Sequence, residues 1–370
     1  MTQTDAGVEF AQKLSTNRRT EEERAAILAN PGFGNHFTDH TVIVDYSVGE
    51  DGKGSWHDAR LEPYGPIMLD PSAAVLHYGQ EIFEGLKAYR HADGSVWTFR
   101  AEKNAERLNR SAARLALPQL PPEIFLEALR QLVGADKEWV PNGEGESLYL
   151  RPFMIATEAF LGVRPAKEVS FRVIASPAGN YFGGELAPVS IWLSRNYARA
   201  GRGGTGAAKC GGNYAASLAA QLEAEAHGCK QVVFLDEAND NAVEELGGMN
   251  VFFVFKDGTL VTPALTGTIL EGVTRSSIIQ LAEDRGLKVE ERKITLDEWC
   301  EGIASGEITE VFACGTAAVI TPIGKLVDGD SVIGAPDAKA GEVTMSLREQ
   351  LLGIQTGAVE DTHGWLTRLA

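Results

Sequence analysis

One lysine stands out by its neighbours: in Lys209-Cys210-Gly211-Gly212-Asn213-Tyr214 it follows two alanines and precedes two glycines at the start of a helical pattern. Small neighbours leave room for a planar group, and an amine in an apolar, crowded place has a lowered pKa and can form a Schiff base with an aldehyde. The alternative is an ordinary surface lysine. Further on, Glu271-Gly272-Val273-Thr274-Arg275-Ser276 puts glycine and hydroxyls at a predicted helix start, where backbone N–H groups favour a phosphate. Cys314-Gly315-Thr316-Ala317 is a second small-residue turn after a strand-like run. Either can be simple capping. With Lys209 and Arg107 they are the parts needed to hold an aldehyde cofactor by its carbonyl and its phosphate.

Three other groups could do chemistry. Alternation puts Arg151 on the same strand face as Tyr149, Phe153 and Ile155, in an otherwise apolar run, and a buried guanidinium is costly unless an anion or acceptor network meets it. A structural carboxylate partner and an active-site role are both open. Gly201-Arg202-Gly203-Gly204-Thr205-Gly206 satisfies G-x-G-x-x-G, with Glu223 and Glu225 about 20 residues on, as a dinucleotide site would require. It is set apart from the strand-like Ile191-Trp192-Leu193, so a Gly-rich loop is the competing reading. His36 and His40 would share one face of a helix, but Pro31-Gly32-Phe33-Gly34 before them argues for a loop entering a strand, and hence for hydrogen-bonded histidines and no metal.

The elements that must position these groups read as mixed α/β. Thr20-Glu21-Glu22-Glu23 has the spacing of a capping box, and Thr41 to Tyr46 reads as a strand. Leu86 to Tyr89 and Ser95 to Phe99 flank Asp93-Gly94 as a hairpin. From Ala101 to Leu115, Ala105, Leu108, Ala112 and Leu115 form one helical stripe, with Arg107, Arg110 and Arg114 on the solvated opposite side. Ser147 to Ala156 and Val169 to Ser176 read as strands, and Gly179 to Pro188 as a linker. Beyond it, strands at Val189 to Leu193, Gln231 to Asp236, Val251 to Phe255, Lys288 to Lys293 and Glu310 to Ala313 alternate with helices at Asn213 to His227 and Thr274 to Gly286. Gly341 to Gln355 reads as a terminal helix. The expected division is a small N-terminal domain, 1–181, a linker, 182–189, and a large C-terminal domain, 190–370, carrying Lys209.

Composition narrows the function classes. The chain has 370 residues, and Lys+Arg 34 against Asp+Glu 51 gives a net charge of −17, which repels nucleic-acid backbones and anionic membranes. With 44% hydrophobic and 23% charged residues it has the make-up of a soluble globular enzyme. The cysteines, Cys210, Cys229, Cys300 and Cys314, include no C-x-x-C pair, and the start of the chain shows no apolar targeting run. The reading is cytoplasmic, with no metal.

These blocks together resemble the branched-chain amino acid aminotransferases, pyridoxal-phosphate enzymes of fold type IV with the two-domain, D-amino acid aminotransferase-like architecture. The resemblance runs from Phe33-Gly34-Asn35-His36-Phe37-Thr38-Asp39-His40 to Thr316-Ala317. Its strongest stretches are Leu76-His77-Tyr78-Gly79-Gln80-Glu81-Ile82-Phe83-Glu84-Gly85-Leu86-Lys87, Tyr149-Leu150-Arg151-Pro152, Lys209 to Tyr214 and Gly272-Val273-Thr274-Arg275. It implies transfer of the amino group of L-leucine, L-isoleucine or L-valine to 2-oxoglutarate. Alternatives on the same scaffold are a D-amino acid aminotransferase and an aminodeoxychorismate lyase. From other classes come a dinucleotide-dependent oxidoreductase built on Gly201 to Gly206 and a noncatalytic ligand-binding protein.

Carried over residue by residue, the resemblance makes Lys209 the aldimine lysine of pyridoxal 5′-phosphate and the proton shuttle between Cα and C4′. Glu245 would pair with the pyridine nitrogen and keep it protonated. Arg107, Val273, Thr274 and Thr316 would hold the phosphate, and Tyr214 the ring oxygen. Tyr149, Arg151 and Ala317 would serve the substrate carboxylate, and Phe37, Tyr78, Phe83, Tyr181 and Gly248 would wall the pocket for an aliphatic chain. Tyr78 and Val163 match residues that relatives supply from a neighbouring subunit, which implies a homodimer. Two departures stand out: Ala318-Val319-Ile320-Thr321 replaces the redox C-x-x-C of the mammalian enzymes, and Gly248 replaces their threonine.

Overall fold

Gly94 takes a φ of 80° at the Asp93-Gly94 turn, a left-handed conformation that glycine adopts without a Cβ penalty. The turn joins Leu86–Arg90 to Val96–Phe99 in an antiparallel hairpin, as its residues predict. The computed structural model describes residues 8–179, 187–236, 239, 241–334 and 339–370. Tyr181 and most of the expected linker lie outside the described residues. The chain divides into two units: Met1–Gly183 with Ala208–Gly211 and Ile354–Ala370, and Gly184–Ala207 with Gly212–Gly353. Lys209 therefore packs with the first unit, although it follows the second unit's first strand in sequence.

In the first unit the sheet order is Ala11–Gln12, Gly54–Pro63, His40–Val48, Glu168–Ala178, Ser147–Ala156, Leu86–Arg90, Val96–Phe99, Leu366–Arg368. The short strand Glu81–Phe83 also pairs with Ser147–Ala156. Register explains the placement of Arg151. Phe83 lies opposite Phe153 and Leu86 opposite Leu150, one continuous register that sets Glu84-Gly85 beside Pro152 and Arg151, with Glu84 N–H donating to the Pro152 carbonyl at 2.7 Å. Helices Ala101–Arg114 and Pro122–Ala135 cover the sheet, and Ala105, Leu108, Ala112, Phe125, Leu129 and Leu132 join Val42, Leu148 and Phe171 in one core. Each large side chain so buried contributes about 1.5–3 kcal/mol.

The same helix corrects the reading of Arg107. Arg110 and Arg114 are exposed, but Arg107 is only 4% exposed, because it sits on the flank of the apolar stripe in line with buried Asn104 and Ser111. What draws it inward is Glu84, a buried carboxylate 23 residues upstream.

The second unit's sheet runs Ala242–Leu246, Gln231–Asp236, Val189–Leu193, Val319–Asp328, Ile308–Gly315, Asn250–Phe255, Leu260–Thr262, Val289–Glu291. Val189–Leu193 pairs parallel with both neighbours, while Ile308–Gly315 pairs antiparallel with both of its own, so the unit is mixed α/β. The helix expected over Asn213 to His227 is two, Gly211–Ala215 and Leu218–Ala226. At the break the Ser217 hydroxyl donates to the Tyr214 carbonyl at 2.7 Å, competing with the helical ladder. The Gly201–Gly206 motif neither leaves a strand nor opens a helix: the preceding strand ends at Leu193 and the next helix starts at Gly211. A dinucleotide fingerprint needs both junctions, and the oxidoreductase alternative loses its geometry.

Candidate active site

The first unit assembles one group of the predicted residues around the Phe83 ring. Lys209 is held by its backbone: its N–H donates to the Ser111 hydroxyl at 2.9 Å, and its carbonyl accepts from Phe83 N–H at 2.9 Å. Two residues on, Gly211 N–H donates to the Glu81 carboxylate. Burial pushes that carboxyl above the usual carboxylate range, while the Gly211 bond and nearby Arg151 pull the other way. Lys209 Nζ then lies 4.7 Å from the Phe83 ring centroid, and the Arg151 guanidinium lies 4.6 Å from the same centroid.

Arg151 also donates from Nη2 to the Tyr149 hydroxyl at 3.0 Å, and its buried Nε has no partner among the described residues. No ion pair to a carboxylate is found for it there. Tyr149 is fixed in turn by an edge contact from Phe33, with ring centroids 5.0 Å apart. A Cβ at Gly85 would overlap the Tyr149 hydroxyl, so this glycine is required by close approach. Next to Phe83 in the chain, Glu84 holds Arg107: Nε and Nη2 each donate to it at 2.8 Å, and Asn104 donates to the same carboxylate at 2.7 Å. Glu81, Glu84, Asn104 and Ser111 were not singled out by sequence reasoning, since each acts through a contact distant in the chain or through a neighbour.

Phe37, Tyr78 and Val163 stand apart from this group. Phe37 stacks on Tyr64 at 5.1 Å, and the Tyr78 hydroxyl donates to the Leu161 carbonyl. Val163 is 87% exposed, and Met68, Leu76, Leu161 and Tyr78 are exposed as well. His40 is a structural histidine: Nδ1 lies 2.6 Å from Asp136, and Nε2 accepts from Ser15 N–H.

The second unit assembles the rest. Glu245 is 2% exposed and accepts from Leu270 N–H at 2.7 Å and from Asn250 at 3.4 Å, and Arg199 stands 3.0 Å from it. Its neighbour Glu244 is buried as well, and burial raises that carboxyl above the usual range, against a Thr268 hydrogen bond and the Arg199 charge. Gly272 precedes the helix Val273–Asp284, whose first N–H groups have no partner within the helix. A Cβ at Gly272 would overlap the Asn250 amide oxygen, so the helix start is pressed against the residue that touches Glu245. Thr316 and Ala317 form the turn between Ile308–Gly315 and Val319–Asp328, and Cys314 pairs across the sheet with Asn250. Complete burial pushes the Cys314 thiol far up. Tyr214 faces Gly248, where a Cβ would stand 3.4 Å from its ring. Arg199, Asn250 and Leu270 are the residues of this group that sequence reasoning missed.

Comparison with known proteins gives the chain its family. Residues 81–326 match the family described as amino-transferase class IV. The chain belongs to that family, whose members are pyridoxal-phosphate enzymes. It is 59% identical, over 98% of each chain, to the branched-chain-amino-acid aminotransferase of Mycolicibacterium smegmatis. Its fold matches the crystal structure of the Escherichia coli branched-chain amino acid aminotransferase with a TM-score of 0.73 at 29% identity, covering 89% of this chain and 99% of that one. The branched-chain aminotransferase of the thermophilic archaeon Thermoproteus uzoniensis, solved with norvaline, matches at 0.72 and 28% identity, covering 89% and 100%. The fold type IV expectation holds, and the D-amino acid aminotransferase and lyase alternatives are not favoured.

Proposed function

We propose that this chain is a branched-chain aminotransferase that binds pyridoxal 5′-phosphate and moves the amino group of L-leucine, L-isoleucine or L-valine to 2-oxoglutarate. The observation that carries the reading is the Phe83 centre, where an amine and a guanidinium flank one ring while the Lys209 backbone is anchored on both sides. The residues present fit the cofactor: an amine for the aldehyde, a buried carboxylate beside a cation, and a helix start for a phosphate. When bound, the cofactor supplies an electron sink that makes the amino acid's Cα proton acidic.

Lys209 would hold the cofactor through its amine and, once released, take and return the proton at Cα. Glu245 would face the ring nitrogen, and Tyr214 the ring oxygen. Arg107, Val273, Thr274 and Thr316 would hold the phosphate. Arg151, Tyr149 and Ala317 would orient the substrate carboxylate, and Phe37, Phe83, Tyr181 and Gly248 would line the side-chain pocket. The exposed apolar residues Met68, Leu76, Leu161 and Val163 support a homodimer in which Tyr78 and Val163 serve the partner's pocket. The two-domain division with its linker at 182–189 belongs to the same reading. No helix among the described residues is long and apolar enough to cross a membrane, and the four thiols are unpaired, which supports a cytoplasmic location.

The visible spectrum of the cofactor-loaded protein tests this directly. L-leucine without any oxo acid is expected to bleach the cofactor band, and D-alanine to leave it. A band that answers only D-alanine would overturn the substrate class, and absence of a band the cofactor. Gly85→Ala is expected to raise the KM for L-leucine about tenfold, since displacing Tyr149 removes a bond to a charged group worth about 1.5 kcal/mol. An unchanged KM in steady-state assays would show that Tyr149 does not set the Arg151 guanidinium.

A further inference from the structure

We propose that Arg199 is a positioning residue that holds Glu245 as a charged carboxylate for the cofactor's ring nitrogen, and that the Gly201–Gly206 loop exists to seat Arg199. The inference rests on the reading of Glu245 above. Arg199 is buried, its side chain 2% exposed, and its Nη1 lies 3.0 Å from Glu245 Oε1. The same nitrogen donates to the Thr268 carbonyl at 2.9 Å and to the Gly206 carbonyl at 3.4 Å. Nε is buried with no partner among the described residues. A buried ion pair is a poor device for stability, because an apolar pair of similar volume does as well or better. Keeping this one, with a donor left over, points to what the charge does for Glu245.

The donors around Glu245 all favour its ionised form. Arg199 and Leu270 N–H both meet Oε1, and the Asn250 amide reaches Oε2. Glu244, next along the same strand, shows what burial does to a carboxyl here: burial pushes it up and the Asp236 charge adds to the rise, while a Thr268 hydrogen bond and the Arg199 charge pull down without reversing it. A carboxyl buried as Glu245 is, with the guanidinium taken away, loses a partner that favours its charge, and a protonated carboxyl cannot balance a pyridinium.

The glycine motif fits this role. A Cβ at Gly206 would overlap the Thr268 carbonyl and the Ala200 side chain. The loop must close this tightly to bring the Gly206 and Thr268 carbonyls onto one guanidinium. Thr205 and Asn213 lock the turn from the other side, the hydroxyl donating at 2.7 Å and the amide returning a bond at 2.8 Å. The last glycine of the motif therefore serves a backbone contact and no phosphate.

The test uses the full-length protein loaded with pyridoxal phosphate carrying an isotope-labelled ring nitrogen, read by NMR. The parent is expected to show the pyridinium shift. Glu245→Gln and Arg199→Met are each expected to move it to the neutral position, Arg199→Lys to lie between, and Arg199→Met to add nothing in the Glu245→Gln background. A pyridinium shift retained by Arg199→Met but lost in Glu245→Gln overturns the role of Arg199. A shift retained in Glu245→Gln overturns the Glu245 reading, and this inference with it. Should Arg199→Met bind the cofactor poorly, infrared spectra without cofactor serve instead. A protonated-carboxyl band that appears in Arg199→Met and vanishes when Glu245→Gln is added supports the proposal; no new band overturns it.

Discussion

Lys209→Ala is expected to abolish transamination while the protein keeps its fold. Proton transfer by a placed side chain is worth about 10²–10⁴-fold in rate, and this variant loses the covalent anchor as well. Its stability is expected to change little, because the contacts that place the segment are made by the backbone, through Ser111 and Phe83. Packing is supplied by Ala208 and Cys210, both buried in the first unit's core. The approach of the amine to the Phe83 ring is worth about 0.5–1 kcal/mol at a partly exposed site. Lys209→Arg would keep a cation over that ring but is expected to be equally inactive, since a guanidinium does not give up its proton at neutral pH. Matched circular dichroism and melting curves with kcat reduced to background are the expected pair of results; most of the parent rate surviving in Lys209→Ala would remove the lysine from the chemistry.

The contrast between Lys209 and its supports shows what the sequence displays and what it hides. Strands such as Ser147–Ala156, Val189–Leu193 and Gln231–Asp236 are legible to their ends, because β-branched and apolar runs stop at turn residues. The lysine is legible too, as an amine among small residues. Its anchor is not: Ser111 lies 98 residues earlier and carries no mark of its partner. Periodicity places Arg107 away from the core stripe but cannot see Glu84, whose charge makes burial tolerable. The Gly201–Gly206 pattern is the reverse case, a motif that matches letter by letter while its last glycine answers to a close approach at Thr268. Helix Pro122–Ala135, absent from the sequence reading, lacks a side-chain N-cap and starts after Pro121, so its beginning carries little capping signal.

The pair hidden in that way should give the largest loss of stability. Glu84→Ala leaves the Arg107 guanidinium buried without its counter-charge and takes the acceptor from Asn104. Breaking a buried pair from one side costs about 3–5 kcal/mol, which lowers a melting midpoint by on the order of 10 °C in a chain of this kind. Glu84→Gln keeps the shape and one acceptor and is expected to lose less. Cofactor affinity is expected to fall in both, since Nε and Nη2 of Arg107 are aimed by this carboxylate, and the fork geometry is what a guanidinium brings to a phosphate. Stability and function can then be pulled apart with Arg107→Met combined with Glu84→Leu. An apolar pair of similar volume is expected to recover most of the lost melting temperature, yet the doubly substituted protein should still bind pyridoxal phosphate weakly in a fluorescence titration. If the double variant regains full cofactor affinity, Arg107 has no part in holding the phosphate. If Glu84→Ala melts with the parent, the pair does not anchor the helix Ala101–Arg114 to the sheet at all.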